Sequence, residues 1–294
     1  MRPFFVAFLA LGLALAAAPA AFAQRPPDPE RWRALDLENT LYIDTTKGRI
    51  VIEMYPEVAP QHVERVKTLA RARFYDGQTF FRVIDGFMAQ TGDPLNSGEG
   101  ASQLPDLQQE FLFRRGADMP FVEASFRGGA RQGFYKTLPI ETQPDSQMRV
   151  TRDQRVSAWG LHCAGVAAMA RAEDPNSANS QFFITRAPYP SLDKRYTVWG
   201  RVVFGQSTVN AIQVGEPPEN PDRMTAVRVA ADLPETERAP LYVMRTDGRD
   251  FRELINEVRN ARRADFSVCD VEIPARVPQD RRERRWWSII PFIP

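Results

Sequence analysis

Two cysteines and two histidines are all that 294 residues hold of either type. They cannot assemble the Cys/His clusters of a zinc site, so no metal is expected. No phosphate-binding glycine loop or dinucleotide fingerprint appears and no period repeats, so no cofactor is expected either. Acidic and basic residues nearly cancel, 37 against 38 for a net charge of +1. Nothing in that balance suits bulk binding of nucleic acid. What is present is ordinary globular material, 43% apolar and 26% charged, long enough for one large domain or two small ones.

One segment stands apart. Met1-Arg2 gives a short positive start, Phe4 to Ala18 an apolar run, and Ala21-Phe22-Ala23 the small-residue pattern that a signal peptidase cleaves. The run is short for a transmembrane anchor. The expectation is a signal peptide over residues 1–23 and a mature chain from Gln24, exported to what the Ala-rich leader suggests is a bacterial periplasm.

Residues 24–39 are a proline-bearing, extended or mobile lead-in. Leu41 to Thr45 and Arg49 to Tyr55 alternate around Thr46-Lys47-Gly48 as a hairpin. Pro60 opens a helix on which Val63, Val66, Leu69 and Ala70 recur at helical spacing. His62, on that helix, reads as a surface or capping residue. Phe80 to Ile84 and Phe87 to Thr91 form a second hairpin about Asp85-Gly86, and alternation puts Phe80, Arg82 and Ile84 on one side. Periodicity then fails through about residues 95–160, too long a stretch for a structureless loop. Asp118 to Val122 and Gly133 to Lys136 within it read as short strands at a sheet edge. Whether this insertion walls a groove or only decorates the surface stays open. Strands follow over Gly165–Ala172, Gln181–Thr185, Tyr196–Phe204 and Ala226–Ala230, with a short helix near Ser207 as its cap. Beyond Leu233, a strand at Leu241–Arg245, a helix face of Phe251, Leu254, Ile255 and Val258, and a strand at Phe266–Ile273 make a small βαβ-like appendage over 234–278. A basic and aromatic tail, 279–294, suits a peripheral membrane or protein contact, or packing on its own protein.

Phe80-x-Arg82-x-Ile84-x-Gly86-Phe87-Met88-x-Gln90-x-Gly92-Asp93, then Ser180-Gln181-Phe182-Phe183-Ile184, then Leu192-Asp193 with Trp199-Gly200-Arg201-Val202, resemble in order three motifs of the cyclophilins. These are peptidyl-prolyl isomerases, and the likeness runs from Thr40 to Leu233. It implies a mainly β fold: an eight-stranded antiparallel barrel capped by two helices, here with a long insertion and a C-terminal α+β appendage. It implies catalysis of X-Pro isomerisation in proline-containing polypeptides, with Arg82 and Gln90 catalytic. Phe87, Met88, Phe183 and Leu192 would grip the proline ring, with Phe80, Ala170, Gln181 and Tyr196 as further substrate positions. Tyr196 stands where many members have histidine. Ser191 replaces a rim aromatic and Arg171 an asparagine, which puts substrate preference in doubt.

Such chemistry breaks no bond, so it needs no nucleophile. A guanidinium beside the twisted amide suffices in principle. The alternatives are a non-catalytic proline-binding module or chaperone, which would have no need of Arg82, and a hydrolase using Ser180, for which neither His62 nor His162 sits in a triad motif. Cys163 and Cys269 are either joined in an oxidising compartment, fastening appendage to barrel, or two separate buried thiols.

Overall fold

The computed structural model describes residues 27–277, apart from Ala239. The expected signal peptide and the basic, aromatic tail lie outside them. In chain order the elements begin β1 (Trp32–Ala34), β2 (Thr40–Thr45), β3 (Gly48–Met54), α1 (Pro60–Arg71), β4 (Arg82–Ile84) and β5 (Met88–Thr91). The insertion supplies β6 (Phe113–Arg115), β7 (Val122–Arg127), β8 (Ala130–Tyr135), β9 (Leu138–Thr142) and β10 (Val156–Gly160). Then come β11 (Val166–Met169), β12 (Phe182–Thr185), β13 (Val198–Phe204), α2 (Gln206–Ala211) and β14 (Met224–Val229). The appendage supplies the last described elements, β15 (Tyr242–Met244), α3 (Arg249–Arg262) and β16 (Ala275–Arg276).

Eight strands form one antiparallel sheet in the order β14-β2-β3-β13-β11-β12-β5-β4. Alternation decides which side chains go inward. Leu41 and Ile43 on β2, with Ile50 and Ile52 on β3, are fully buried in a core that also holds Phe182, Ile184, Trp199 and Val227. Each such side chain contributes about 1.5–3 kcal/mol by leaving water. The sheet's edges are not left open. Gly77 N–H donates to Met224 C=O at 2.7 Å, Met224 N–H to Gln78 C=O at 2.9 Å and Phe80 N–H to Asp222 C=O at 2.8 Å. The approach to β4 thus meets β14, which removes edges that would template aggregation.

Val63, Val66, Leu69 and Ala70 of α1 enter the same core, so the helix closes one end. Ala59 offers α1 no capping side chain, and Glu110 of the insertion takes that role. Its carboxylate accepts from the N–H groups of Gln61 and His62, each at 3.2 Å, and lies 2.7 Å from His62 Nδ1. His62 is therefore fully buried rather than a surface residue. The expected Ser207 cap is also corrected. Gly205, left-handed at φ 91°, begins α2, and a Cβ there would lie 2.3 Å from the Arg49 carbonyl.

The insertion does not extend the barrel sheet, as its edge-strand reading anticipated. It forms its own five-stranded antiparallel sheet, ordered β6-β10-β9-β8-β7. Phe134, Leu138, Ile140 and Trp159 from this sheet join Met88, Ala168 and Phe183 of the barrel and Phe251 and Ile255 of α3 in a second core. That core lies on the outer face of the barrel sheet. From residue 27 on, the lead-in is ordered rather than mobile: β1 pairs with β15, which pairs with β16, all antiparallel. The expected strand-helix-strand order holds in β15, α3 and β16, with β1 as an added partner and the second strand at Ala275–Arg276. Residues 266–273 are not a strand, because Ser267 and Asp270 form a capping box around a turn of 3-10 helix, and those side-chain bonds override alternation.

Two features tie the three parts together. Glu53 of β3 accepts both forks of Arg33 from β1, at 2.7 and 2.8 Å, and the hydroxyls of Tyr55 and, from the insertion, Thr137. Burial alone would push its carboxyl up; the Arg33 guanidinium and the two hydroxyls outweigh that and hold it below the usual range. Second, a disulfide joins Cys163, just before β11, to Cys269 of the appendage across 106 positions. The denatured, unreduced protein should show no free thiol, and Cys269→Ser should lower unfolding stability by about 2–5 kcal/mol. Two titratable thiols before reduction would contradict the bond.

Candidate active site

Four adjacent strands, β4, β5, β12 and β11, build the site on the outer face of the barrel. Direct cross-strand partners share a face, and here Arg82 is opposite Gln90, Gln90 opposite Phe183, and Phe183 opposite Ala168. One row thus places a guanidinium, an amide and an aromatic ring side by side. Ile84, Met88 and Thr185 form the next row. Val83 and Ala89, between these rows, point into the barrel core.

Arg82 is half-exposed and held at two points. Its Nε donates to Glu216 Oε2 at 2.7 Å and its Nη1 to Gln90 Oε1 at 3.3 Å. The Gln90 amide donates to Gln181 Oε1 at 3.0 Å, and the Gln181 amide donates to the carbonyls of Gly98 and Gly100 at 2.9 and 2.8 Å. A continuous polar chain therefore runs from Glu216 to the loop at Gly98. That loop is wound around Asp93, which is buried and accepts from the N–H groups of Leu95, Ser97 and Gly98. Burial acts to raise the Asp93 carboxyl, and these backbone donors overcome it and hold it below the usual range.

Two cavities open along this chain and share Gln90 and Gly98. One, of 410 Å³, is lined by Phe81, Arg82, Asn96, Glu216 and Pro217; the other, of 360 Å³, by Ala170, Arg171, Asn179 and Gln181. Beside them is the apolar group. Met88 and Phe183 are buried as its floor, and Phe87, Leu192 and Tyr196 are half-buried around it, all within the second core. The Tyr196 ring meets Phe183 edge-on at 5.6 Å, and the Arg171 guanidinium lies over Tyr196 at 4.7 Å.

The structure thus gathers Arg82, Gln90, Phe87, Met88, Ala170, Gln181, Phe183, Leu192 and Tyr196 on one face. Phe80 is the exception. It is fully buried in the barrel core, not beside Arg82. The backbone leaves the ladder over residues 80 and 81, between the Thr79 bridge and β4, so alternation fails there. Gln181 spends its side chain on Gln90 and the Gly98 loop, which makes it a strut. Sequence reasoning missed Glu216, whose partner lies 134 positions away. It also missed Tyr189, whose ring lies 4.2 Å from Phe87 near the exposed Ser191. Neither has a local signal, since each acts through a contact that only the folded chain makes.

The insertion reaches this face. Trp159 of β10 lies under the Lys194 ammonium at 3.6 Å, between Leu192 and Tyr196 in sequence, and Phe111 lies 5.7 Å from Arg171. Hydrolase chemistry finds no support. Ser180 is buried and its hydroxyl donates to the Gly92 carbonyl, while His62 and His162 are buried against Glu110 and Asp193. Among the described residues no three His, Cys, Asp or Glu side chains group as metal ligands.

A guanidinium beside an apolar floor suits a reaction in which no covalent bond is cut. Comparison with known proteins gives that class its family. The family pattern "Cyclophilin type peptidyl-prolyl cis-trans isomerase/CLD" matches residues 40–230. Over 215 residues the chain is 34% identical to a probable peptidyl-prolyl cis-trans isomerase of Brucella suis biovar 1 (strain 1330), covering 68% of this chain and 86% of that one. It is 30% identical over 188 residues to peptidyl-prolyl cis-trans isomerase-like 1 of Bos taurus, covering 64% and 85% respectively. The crystal structure of cyclophilin AquaCyp293 from Hirschia baltica matches with a TM-score of 0.78 at 36% identity, over 86% of this chain and 96% of that one. The chain belongs to the cyclophilin family and is a peptidyl-prolyl cis-trans isomerase.

Proposed function

We propose that this cyclophilin accelerates X-Pro isomerisation in exported, proline-containing polypeptides while they fold outside the cytoplasm. The observation that carries the mechanism is the row Arg82, Gln90, Phe183, with the apolar floor beside it. Rotation about the prolyl bond loses amide resonance and faces a barrier of roughly 18–20 kcal/mol. Only groups that bind the twisted amide better than the planar one lower it. Arg82 donates to the prolyl nitrogen or its carbonyl as conjugation is lost, Gln90 orients that guanidinium, and Phe87, Met88, Phe183 and Leu192 hold the ring. Tyr196 and Ala170 border the bound chain.

Export is supported by the leader pattern at residues 1–23 and by a disulfide, which persists in oxidising compartments. The tail at 279–294, outside the described residues, would add a peripheral hold on a membrane or protein surface. The test has two arms. Cell fractionation should find a chain beginning at Gln24 in the periplasm, and that purified chain should speed the proline-limited refolding of an exported protein. An uncleaved chain in the cytoplasm would refute export, and unchanged refolding would refute the client class.

A further inference from the structure

The loop between α2 and β14 carries Glu216 to Arg82, and it is fixed at several points. Gly215 and Val83 exchange backbone hydrogen bonds at 2.8 and 2.9 Å, so the loop adds one rung beside β4, next to Arg82. Asp222 pins the far end, accepting from Gln213 N–H at 2.9 Å and from the Thr46 hydroxyl at 2.6 Å. A Cβ on Gly215 would fall 2.4 Å from Pro218 Cα, so this turn admits only glycine. The Glu216 carboxylate is consequently delivered by a backbone held on both sides, at Gly215 and at Asp222.

The geometry points to Glu216 as a positioning residue that sets the Arg82 guanidinium for the twisted amide. Its pair with Arg82 is exposed, 40% and 51% by side chain, so it adds little to stability. Its effect lies in orientation. An arginine head on a flexible stem has many arrangements, and each must be lost before its donors meet the reacting amide. Glu216 takes Nε and Gln90 takes Nη1. Among the described residues no group accepts from Nη2, so both its hydrogens are left for the substrate, beside the 410 Å³ cavity that Glu216 and Arg82 both line. The opposite physical effect is that a carboxylate this close dilutes the field of the cation. Orientation outweighs dilution, because Nη2 and its hydrogens remain unclaimed while the head is held at two other nitrogens.

This inference rests on Arg82 being the group that meets the amide, so the experiment carries that control. Steady-state isomerisation of an X-Pro peptide is measured for Arg82→Ala, Glu216→Ala, Glu216→Gln and the double Arg82→Ala/Glu216→Ala. Glu216→Ala should lower kcat about tenfold, about 1.4 kcal/mol, with KM and melting temperature nearly unchanged. Glu216→Gln keeps an acceptor for Nε and should recover most of the rate. In the Arg82→Ala background, removing Glu216 should change nothing further. A wild-type or raised kcat in Glu216→Ala, or Glu216→Gln as slow as Glu216→Ala, overturns the positioning role. A wild-type rate in Arg82→Ala overturns instead the reading of the site on which it rests.

Discussion

Arg82→Ala should lower the isomerisation rate constant by two to three orders of magnitude, about 3–4 kcal/mol of transition-state stabilisation. The loss should fall on kcat rather than on peptide affinity, because the ring is gripped by Phe87, Met88, Phe183 and Leu192, which this change leaves in place. Arg82→Lys should recover little. An ammonium is a point charge and cannot donate to Glu216, Gln90 and substrate from one planar head. The fold should survive, since the side chain lies half-exposed on the outer face and the barrel core is elsewhere. Turnover, peptide affinity and melting temperature measured on the same variant separate these effects. Near wild-type turnover would mean that the apolar floor alone lowers the barrier.

The second large effect concerns stability. Arg33→Ala should destabilise the protein by about 3–5 kcal/mol, because it strands a buried carboxylate with only hydroxyl donors. The consequence is local to a junction: Arg33 belongs to β1, Glu53 to the barrel and Thr137 to the insertion. Pairing Arg33→Met with Glu53→Gln should recover much of the loss, since no charge is then left unpaired. The effect has a defined pH dependence. The folded Glu53 carboxyl lies below its usual range. Its contribution is therefore complete above the unfolded value of about 4.3 and fades as pH falls through the folded one. Urea unfolding at neutral pH and again well below pH 4 should show the wild-type advantage over Arg33→Ala shrinking. An advantage that holds or grows in acid would contradict the assignment.

The hairpin pair β2–β3, helix α1 and the strands carrying Arg82, Gln90 and Phe183 were legible because their signals are local. They rest on turn chemistry at Thr46-Lys47-Gly48, helical spacing from Val63 to Ala70, and a motif whose alternation matches its ladder. What was not legible depends on partners distant in sequence. The five strands of the insertion are interrupted by Gly128-Gly129 and Pro139, so neither period of two nor helical period emerges. Phe80 obeyed alternation in the sequence and broke it in the fold, because its N–H is claimed by Asp222. Residues 266–273 look like a strand by side-chain type, but the Ser267 and Asp270 side chains bond the backbone first. Glu216 gave no signal at all, since its importance is a distance to Arg82.

The pairing order has a consequence for how the molecule can come into being. β2 lies between β3 and β14, and β1 finds its only ladder partner among the described residues in β15. A chain delivered N-terminus first, by synthesis or by export, exposes one flank of β2 and all of β1 until most of its length has followed. Both flanks are strands that would accept a neighbouring chain. Pairings so remote in sequence also make for slow folding, because each loop must close before its contacts reward it. This isomerase therefore completes its barrel only after β14 has followed, and its first strand is covered only once the appendage arrives.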